Sequence, residues 1–301
     1  MSEKLATNNT SLAWAGSVLE DKFITLSDGL RVRYLEAGPA DAPALLLAHG
    51  FLGSVYDWRC NISALADLAG FKSRRVIAFD WVGFGRSDKP DTAYSLHYFA
   101  SFLKDFAEAL HLKQFDLAGH SMGGKHCLAF AIYYPQYVRK LVLVDSDGFL
   151  ADPWWTHQTN KWYFKPLANY STVLLGKASF LKRFLKNVYY DPKFYPSEEP
   201  IEQGALALRQ PDYMAALRAL NRHYPGLSMR LTGLFERLPE IKIPIQIFWG
   251  LQDRILSISQ GHTAQEYLPT ASLYVFEHCG HLPQVEKSPQ FNQMVLEFLE
   301  K

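Results

Sequence analysis

The feature that most constrains this chain is a short run, Gly119-His120-Ser121-Met122-Gly123, set between an apolar strand-like segment, Asp116 to Ala118, and a helix-like segment, Lys125 to Tyr134. A serine between small residues at a strand-to-helix junction predicts a turn too sharp for neighbouring side chains, which pushes the hydroxyl out at the carboxyl end of a sheet. The helix start also presents backbone N–H groups to developing negative charge. Gly124 adds a further small residue. Gly119 to Lys125 also spells the start of a phosphate-binding loop, but His126 stands where Ser or Thr would hold magnesium. Ser121 is therefore the candidate nucleophile.

A turn of that kind needs a parallel sheet, and the flanking sequence supplies one. Phe23 to Leu47 holds short apolar segments broken by Ser27-Asp28-Gly29 and by Gly38-Pro39-Ala40-Asp41-Ala42-Pro43, which predicts a hairpin followed by a buried strand, Ala44 to Ala48. Val76 to Phe79, Phe115 to Ala118 and Leu141 to Val144 then alternate with helical stretches, one of which places Phe99, Phe102, Leu103, Phe106 and Leu110 on a single face. Strand-helix alternation implies helices covering both faces of a mostly parallel sheet. The rhythm stops near Asp147 and resumes at Ile243 to Trp249, with a last strand at Ser272 to Phe276 and a closing helix at Ser288 to Glu300. At 301 residues the chain can hold one large core with an insertion. The expected division is a core of residues 1–147 and 241–301 and a helical cap at 148–240. The cap stretch carries Trp154, Trp155, Trp162, Tyr163, Phe164, Tyr189 and Tyr190, with helix breaks expected at Pro166, Pro192, Pro196 and Pro211. Its aromatics glue cap to core, and some are expected to line a substrate pocket.

A serine hydroxyl is a poor nucleophile at neutral pH and needs a base. His281, in Glu277-His278-Cys279-Gly280-His281-Leu282-Pro283 directly after the last strand, is placed on the same sheet edge; His278 is the competing candidate. His278, Cys279 and His281 could also be imagined around a metal, but no second cluster completes a closed site, and no metal is expected. The carboxylate that fixes the imidazole tautomer is expected at Asp253, after Ile243 to Trp249, with Asp145 and Asp147 as alternatives. His49-Gly50-Phe51 follows Ala44 to Ala48, where a backbone amide would complete an oxyanion hole with the amide after the nucleophile, so Phe51 and Met122 are the proposed donors.

Composition excludes several classes. With 31 Lys+Arg against 30 Asp+Glu the formal charge is +1, too little field to hold nucleic acid or anionic lipid. A 48% hydrophobic and 14% aromatic content excludes disorder and leaves apolar surface for a pocket. Cys60, Cys127 and Cys279 are too few for a disulfide framework, the first residues lack a signal-peptide core, and no stretch reaches the length of a membrane span. A cytoplasmic location is the expectation, and Asn8-Asn9-Thr10 and Asn169-Tyr170-Ser171 are read as chance glycosylation patterns.

Together the His49-Gly50 turn, Asp80-Trp81-Val82-Gly83-Phe84-Gly85-Arg86-Ser87-Asp88 after the fourth strand, the elbow at Ser121, Asp253 and His281 resemble the α/β-hydrolase superfamily over nearly all the chain outside the cap. In relatives of this kind the Asp80 to Asp88 segment is a structural loop. Haloalkane dehalogenases and epoxide hydrolases share the layout but use aspartate where Ser121 stands. Carbon–carbon hydrolases of ring-cleavage products share the serine triad and cap, yet typically follow the histidine with tryptophan, where this chain has Leu282. Carboxylesterases and small lipases commonly show G-H-S-M-G-G. The resemblance thus implies cleavage of a small to medium apolar ester through an acyl-enzyme, with no cofactor. A carbon–carbon hydrolase, an acyltransferase or lyase, or a ligand receptor on the same fold are the alternatives.

Overall fold

The computed structural model describes residues 17–150, 178–195, 201, 208 and 210–301. The expected hairpin forms from β1 (Lys22–Thr25) and β2 (Arg31–Ala37). Its turn closes because Gly29 adopts φ +88°, a conformation that a side chain disfavours, and Asp28 Oδ1 accepts the Leu30 N–H at 3.0 Å. The remaining strands are β3 (Ala44–Ala48), β4 (Arg75–Phe79), β5 (Phe115–His120), β6 (Val138–Val144), β7 (Ile245–Gly250) and β8 (Ala271–Phe276). They assemble in the order β1-β2-β4-β3-β5-β6-β7-β8. Among the described residues only β1 to β2 and β2 to β4 are antiparallel pairs; every pair from β4 to β8 is parallel.

All five residues of β3 and all six of β5 are buried, because both faces of the sheet are covered. The period of two sorts one apolar run into two cores. Ala44, Leu46, Ala48, Ile77 and Phe79 point into the layer built with α2 (Leu96–Ala109) and α3 (Met122–Tyr133). Leu45, Leu47, Val76 and Ala78 point into the opposite layer, with α1 (Ile62–Ala66) and the last helix (Ser288–Glu300). Each such leucine, fully buried, contributes about 1.5–3 kcal/mol of transfer free energy. The face predicted for α2 is the buried one: Phe99, Phe102, Leu103 and Phe106 pack inward, and Ser95 caps the helix by accepting the Tyr98 N–H.

Between β6 and β7 lie α4 (Ala178–Val188) and α5 (Pro211–Arg222). Trp154, Trp155, Trp162, Tyr163, Phe164, Pro166 and Pro196 fall outside the described residues. Tyr189 is buried against Leu282 and Val285, in the packing role, whereas Tyr190 is 39% exposed. Pro192 and Pro211 stand at helix boundaries, where breaks are expected: each opens the first turn of a helix, where its missing N–H has no intrahelical partner to lose. Beyond β7 come α6 (Ser259–Tyr267), α7 (Pro283–Glu286) and α8 (Ser288–Glu300). No helix among the described residues is long and apolar enough to cross a membrane. All three cysteines are free thiols, Cys127 and Cys279 buried.

Candidate active site

Ser121 is the residue between β5 and α3 and holds φ +53°, ψ −124°. A serine at a helix start normally turns its hydroxyl back onto the first-turn N–H groups; this one makes no such bond. Its backbone is pinned instead. The Ser121 N–H donates to Val144 O at 2.9 Å, and its carbonyl accepts the N–H groups of Gly124 at 2.9 Å and Asp147 at 3.0 Å. The small neighbours are obligatory by contact. A Cβ on Gly119 would lie 2.7 Å from Cys127 Sγ, one on Gly123 would lie 2.7 Å from Ala48 O, and one on Gly124 would strike Ser146 Oγ. The strained turn persists because β3, β5, β6 and α3 close on it from all sides.

His281 sits at the same edge, past β8, with its ring 4.8 Å from that of His120, the residue before Ser121. Its Nδ1–H donates to Asp253 Oδ2 at 2.6 Å, within a pair whose side chains are 6% and 0% exposed. Asp253 Oδ1 accepts the N–H groups of Ile255 at 2.7 Å and Leu256 at 3.0 Å, which fixes the carboxylate in its turn. Ser121 Oγ itself makes no hydrogen bond among the described residues, leaving it open to a base; catalytic bonds of this kind tighten in the substrate complex.

The loop expected to supply an oxyanion donor is held by His49, whose Nδ1 bonds Gly50 O at 2.8 Å while Nε2 accepts the Trp81 N–H at 3.0 Å. Burial depresses the basicity of this imidazole, which keeps it neutral and in that tautomer. Phe51 and Met122 both line a cleft of about 390 Å³ that also exposes Ser121. The Asp80 to Asp88 loop is structural, as expected: Asp80 Oδ1 accepts Val55 N–H at 2.8 Å and Oδ2 accepts Arg86 N–H at 2.8 Å.

Among the alternatives, His278 faces Tyr190, with its Nδ1 3.3 Å from the phenol oxygen, and does not meet Asp253. Asp147 is engaged by Lys125 at 2.5 Å; burial works against its charge, but the adjacent ammonium prevails and holds the carboxyl below its usual range. Asp145 lies fully buried beside Asp253 and His281, the three offering polar atoms within 4.8 Å of one another. A metal ion there would have to break the His281–Asp253 bond. His278, Cys279 and His281 form no such group among the described residues.

Several contributors left little trace in the sequence. His120, the variable letter before the serine, donates from Nε2 to His281 O at 2.7 Å, and the His281 N–H donates to Val188 O at 2.7 Å. Glu286 accepts the N–H groups of Gly280 at 2.8 Å and of Tyr190 and Asp191 at 2.9 Å each, which clamps the histidine loop to the segment after α4. Its only sequence signal is a position just past Pro283, five residues beyond His281. Lys125, the last residue of the run that resembles a phosphate-binding loop, lines the cleft beside Ser121 with Asp147, Met229, Arg230 and Leu256.

With strand order, elbow and the His281–Asp253 pair in place, the class of molecule is settled by comparison as well. The family model for the alpha/beta hydrolase fold matches residues 43–288, and the chain belongs to that family. It is 32% identical over 295 residues to a 2-hydroxy-6-oxononadienedioate/2-hydroxy-6-oxononatrienedioate hydrolase of Paraburkholderia phymatum, covering 92% of this chain and 95% of that one. It is 30% identical over 275 residues to a 2-hydroxymuconate semialdehyde hydrolase of Pseudomonas sp. strain CF600, covering 91% and 92%. Among solved structures it resembles a bacterial membrane phospholipase A described as a virulence factor, with TM-score 0.76, 27% identity and coverage of 94% and 86%. This chain is thus a hydrolase of the α/β fold, and the ester preference expected from its sequence is not what these curated relatives are named for.

Proposed function

We propose that the protein hydrolyses a carbon–carbon bond next to an aldehyde or ketone carbonyl in an acidic, conjugated product of aromatic ring opening. The observation that carries this reading is the charge of the cleft at Ser121. Its walls are mostly apolar, from Phe51, Met122, Leu150, Leu227, Met229 and Leu256, but they hold two cations, Lys125 and Arg230, against one carboxylate, Asp147. A net positive, apolar cleft suits a conjugated carboxylate better than a neutral ester. The two curated relatives named above are, by name, hydrolases of conjugated 2-hydroxy acids, one of them of compounds whose names denote two carboxylates.

In this proposal Ser121 Oγ attacks the carbonyl carbon as His281 takes its proton, with Asp253 holding the imidazole tautomer. The amides of Phe51 and Met122 hold the oxyanion. The carbon–carbon bond then breaks in the keto tautomer of the dienol acid, in which the hydroxyl proton has moved to the carbon next to the carbonyl; its electron pair passes through the adjacent double bond onto the 2-keto oxygen, and His281 returns the proton there. Water activated by the same histidine releases the second acid from the acyl-enzyme. One water is consumed, and no cofactor takes part.

A second reading, ester hydrolysis, is favoured by Leu282, which stands where carbon–carbon hydrolases typically carry tryptophan, and by the likeness to a phospholipase. Both reactions use the same serine, so substrate decides. The test is turnover by the wild type and Ser121→Ala of 2-hydroxymuconate semialdehyde, followed by loss of its conjugated absorbance, beside nitrophenyl esters of increasing chain length. The proposal expects the dienol acid to give the higher kcat/KM and both activities to vanish in the variant. Ester turnover alone would move the second reading to the front; undiminished turnover in Ser121→Ala would remove the nucleophile.

A further inference from the structure

Asp145 is a residue that the proposed reaction does not use, yet it lies at its centre. It directly follows β6 with its backbone at φ +40°, a left-handed conformation that a non-glycine residue keeps only when its surroundings hold it there. The side chain is wholly buried. Oδ1 accepts the Gly250 N–H at 3.0 Å, while Oδ2, shielded from solvent, meets no N–H or O–H donor among the described residues. Asp253 is its neighbour, within the 4.8 Å group that also holds His281.

Two carboxylates this close in a dry site cannot both ionise. The donors around them decide which one keeps the proton. Asp253 receives three N–H groups, from Ile255, Leu256 and His281, whereas Asp145 receives one. The other titratable groups facing Asp145 are Glu286 and Cys279, and neither offers it a positive charge. We infer that Asp145 is a positioning residue whose carboxyl O–H donates to the Asp253 carboxylate, so that the acid behind His281 is a hydrogen-bonded pair of aspartates carrying one negative charge. Burial first, and the Asp253 charge second, raise the Asp145 carboxyl well above its usual range, in agreement with that geometry.

Sharing the charge weakens the hold of Asp253 on the imidazolium form of His281, and so tunes the pH at which the base becomes available. The inference rests on the triad proposed above. Asp145→Asn keeps a donor toward Asp253, an acceptor for Gly250 and a side chain that tolerates positive φ. Asp145→Gly also tolerates the backbone but removes the donor. The acid limb of the kcat/KM profile is therefore expected to stay in place in Asp145→Asn and to move up by about 0.5 to 1 pH unit in Asp145→Gly. A downward move in both variants would mean that Asp145 carries a charge, and no move in either would leave it a purely structural residue; each result overturns the inference. Difference infrared spectroscopy at pH 7 supplies a readout independent of turnover. The wild type is expected to show the C=O stretch of a buried protonated carboxyl that Asp145→Asn lacks, and its absence refutes the inference even if Asp145→Gly does not fold. If Asp253→Asn turns over normally, the triad itself fails, while the infrared band still reports on Asp145.

Discussion

Asp253→Asn is the substitution whose outcome the geometry dictates most closely. The asparagine oxygen must face the N–H groups of Ile255 and Leu256, because the amide nitrogen placed there would meet two donors at 2.7 and 3.0 Å. Its NH2 then occupies the position of Oδ2, 2.6 Å from His281 Nδ1, and donates to that nitrogen. The imidazole proton is driven onto Nε2, the nitrogen that in the proposed mechanism receives the Ser121 proton. Shape is preserved while the tautomer is wrong, and the same exchange in serine proteases sets the scale, a loss of about 10⁴ in kcat. At about 1.4 kcal/mol per tenfold, that is roughly 5.5 kcal/mol of transition-state stabilisation. The assay is kcat on the better of the two substrate classes, alongside the rate of fluorophosphonate labelling at Ser121 and the urea midpoint. Both rates are expected to fall together with the midpoint little changed. A loss of less than tenfold in a normally folded variant, or one confined to KM, would refute the argument.

Three further outcomes follow from packing and charge. Gly123→Ala drives a Cβ against the carbonyls of Ala48 and His49, which are backbone and cannot swing aside, so urea unfolding should show a loss of about 1–3 kcal/mol together with a drop in kcat; an unchanged midpoint would contradict the tight elbow. Leu46→Ala, at the fully buried centre of β3, should cost about 2–5 kcal/mol in the same assay without altering the denaturant slope. The Asp57 carboxyl, on the turn after His49-Gly50-Phe51, is pushed up to about 7 by burial, against the opposing pull of Arg59. Its proton is thus held more tightly folded than unfolded: the resulting stability is complete below pH 4 and is lost as pH rises through about 7. Asp57→Asn should flatten that decline in urea midpoints measured from pH 4 to 8, and identical curves for the two proteins would show that the group does not titrate there.

What could be read from the sequence was local in origin. The five apolar residues of β3, the face of α2 and the glycines around Ser121 each impose their structure through neighbours in the chain, and each was legible for that reason. Asp253 and His281 were legible through their position after β7 and β8, which the parallel sheet converts into proximity. Asp145 could be named only as a rival to Asp253, because its backbone conformation and its nearness to Asp253 arise from the pairing of β6 with β7. Glu286 and His120 act through backbone groups of distant segments, and backbone partners leave no pattern in residue types. The choice between carbon–carbon and ester cleavage was hidden for a chemical reason: both need the same hydroxyl, base and oxyanion donors, and differ in the leaving group.

The parallel register β5-β6-β7-β8 carries one more implication. The proposed nucleophile is set by the second quarter of the chain, but its proposed acid and base arrive only with the last fifty residues, Asp253 after two further strands and His281 after three. A nascent or mispaired chain could therefore form the elbow and still be chemically silent. Covalent titration of Ser121 would then count completed molecules rather than protein mass, making the enzyme its own gauge of assembly.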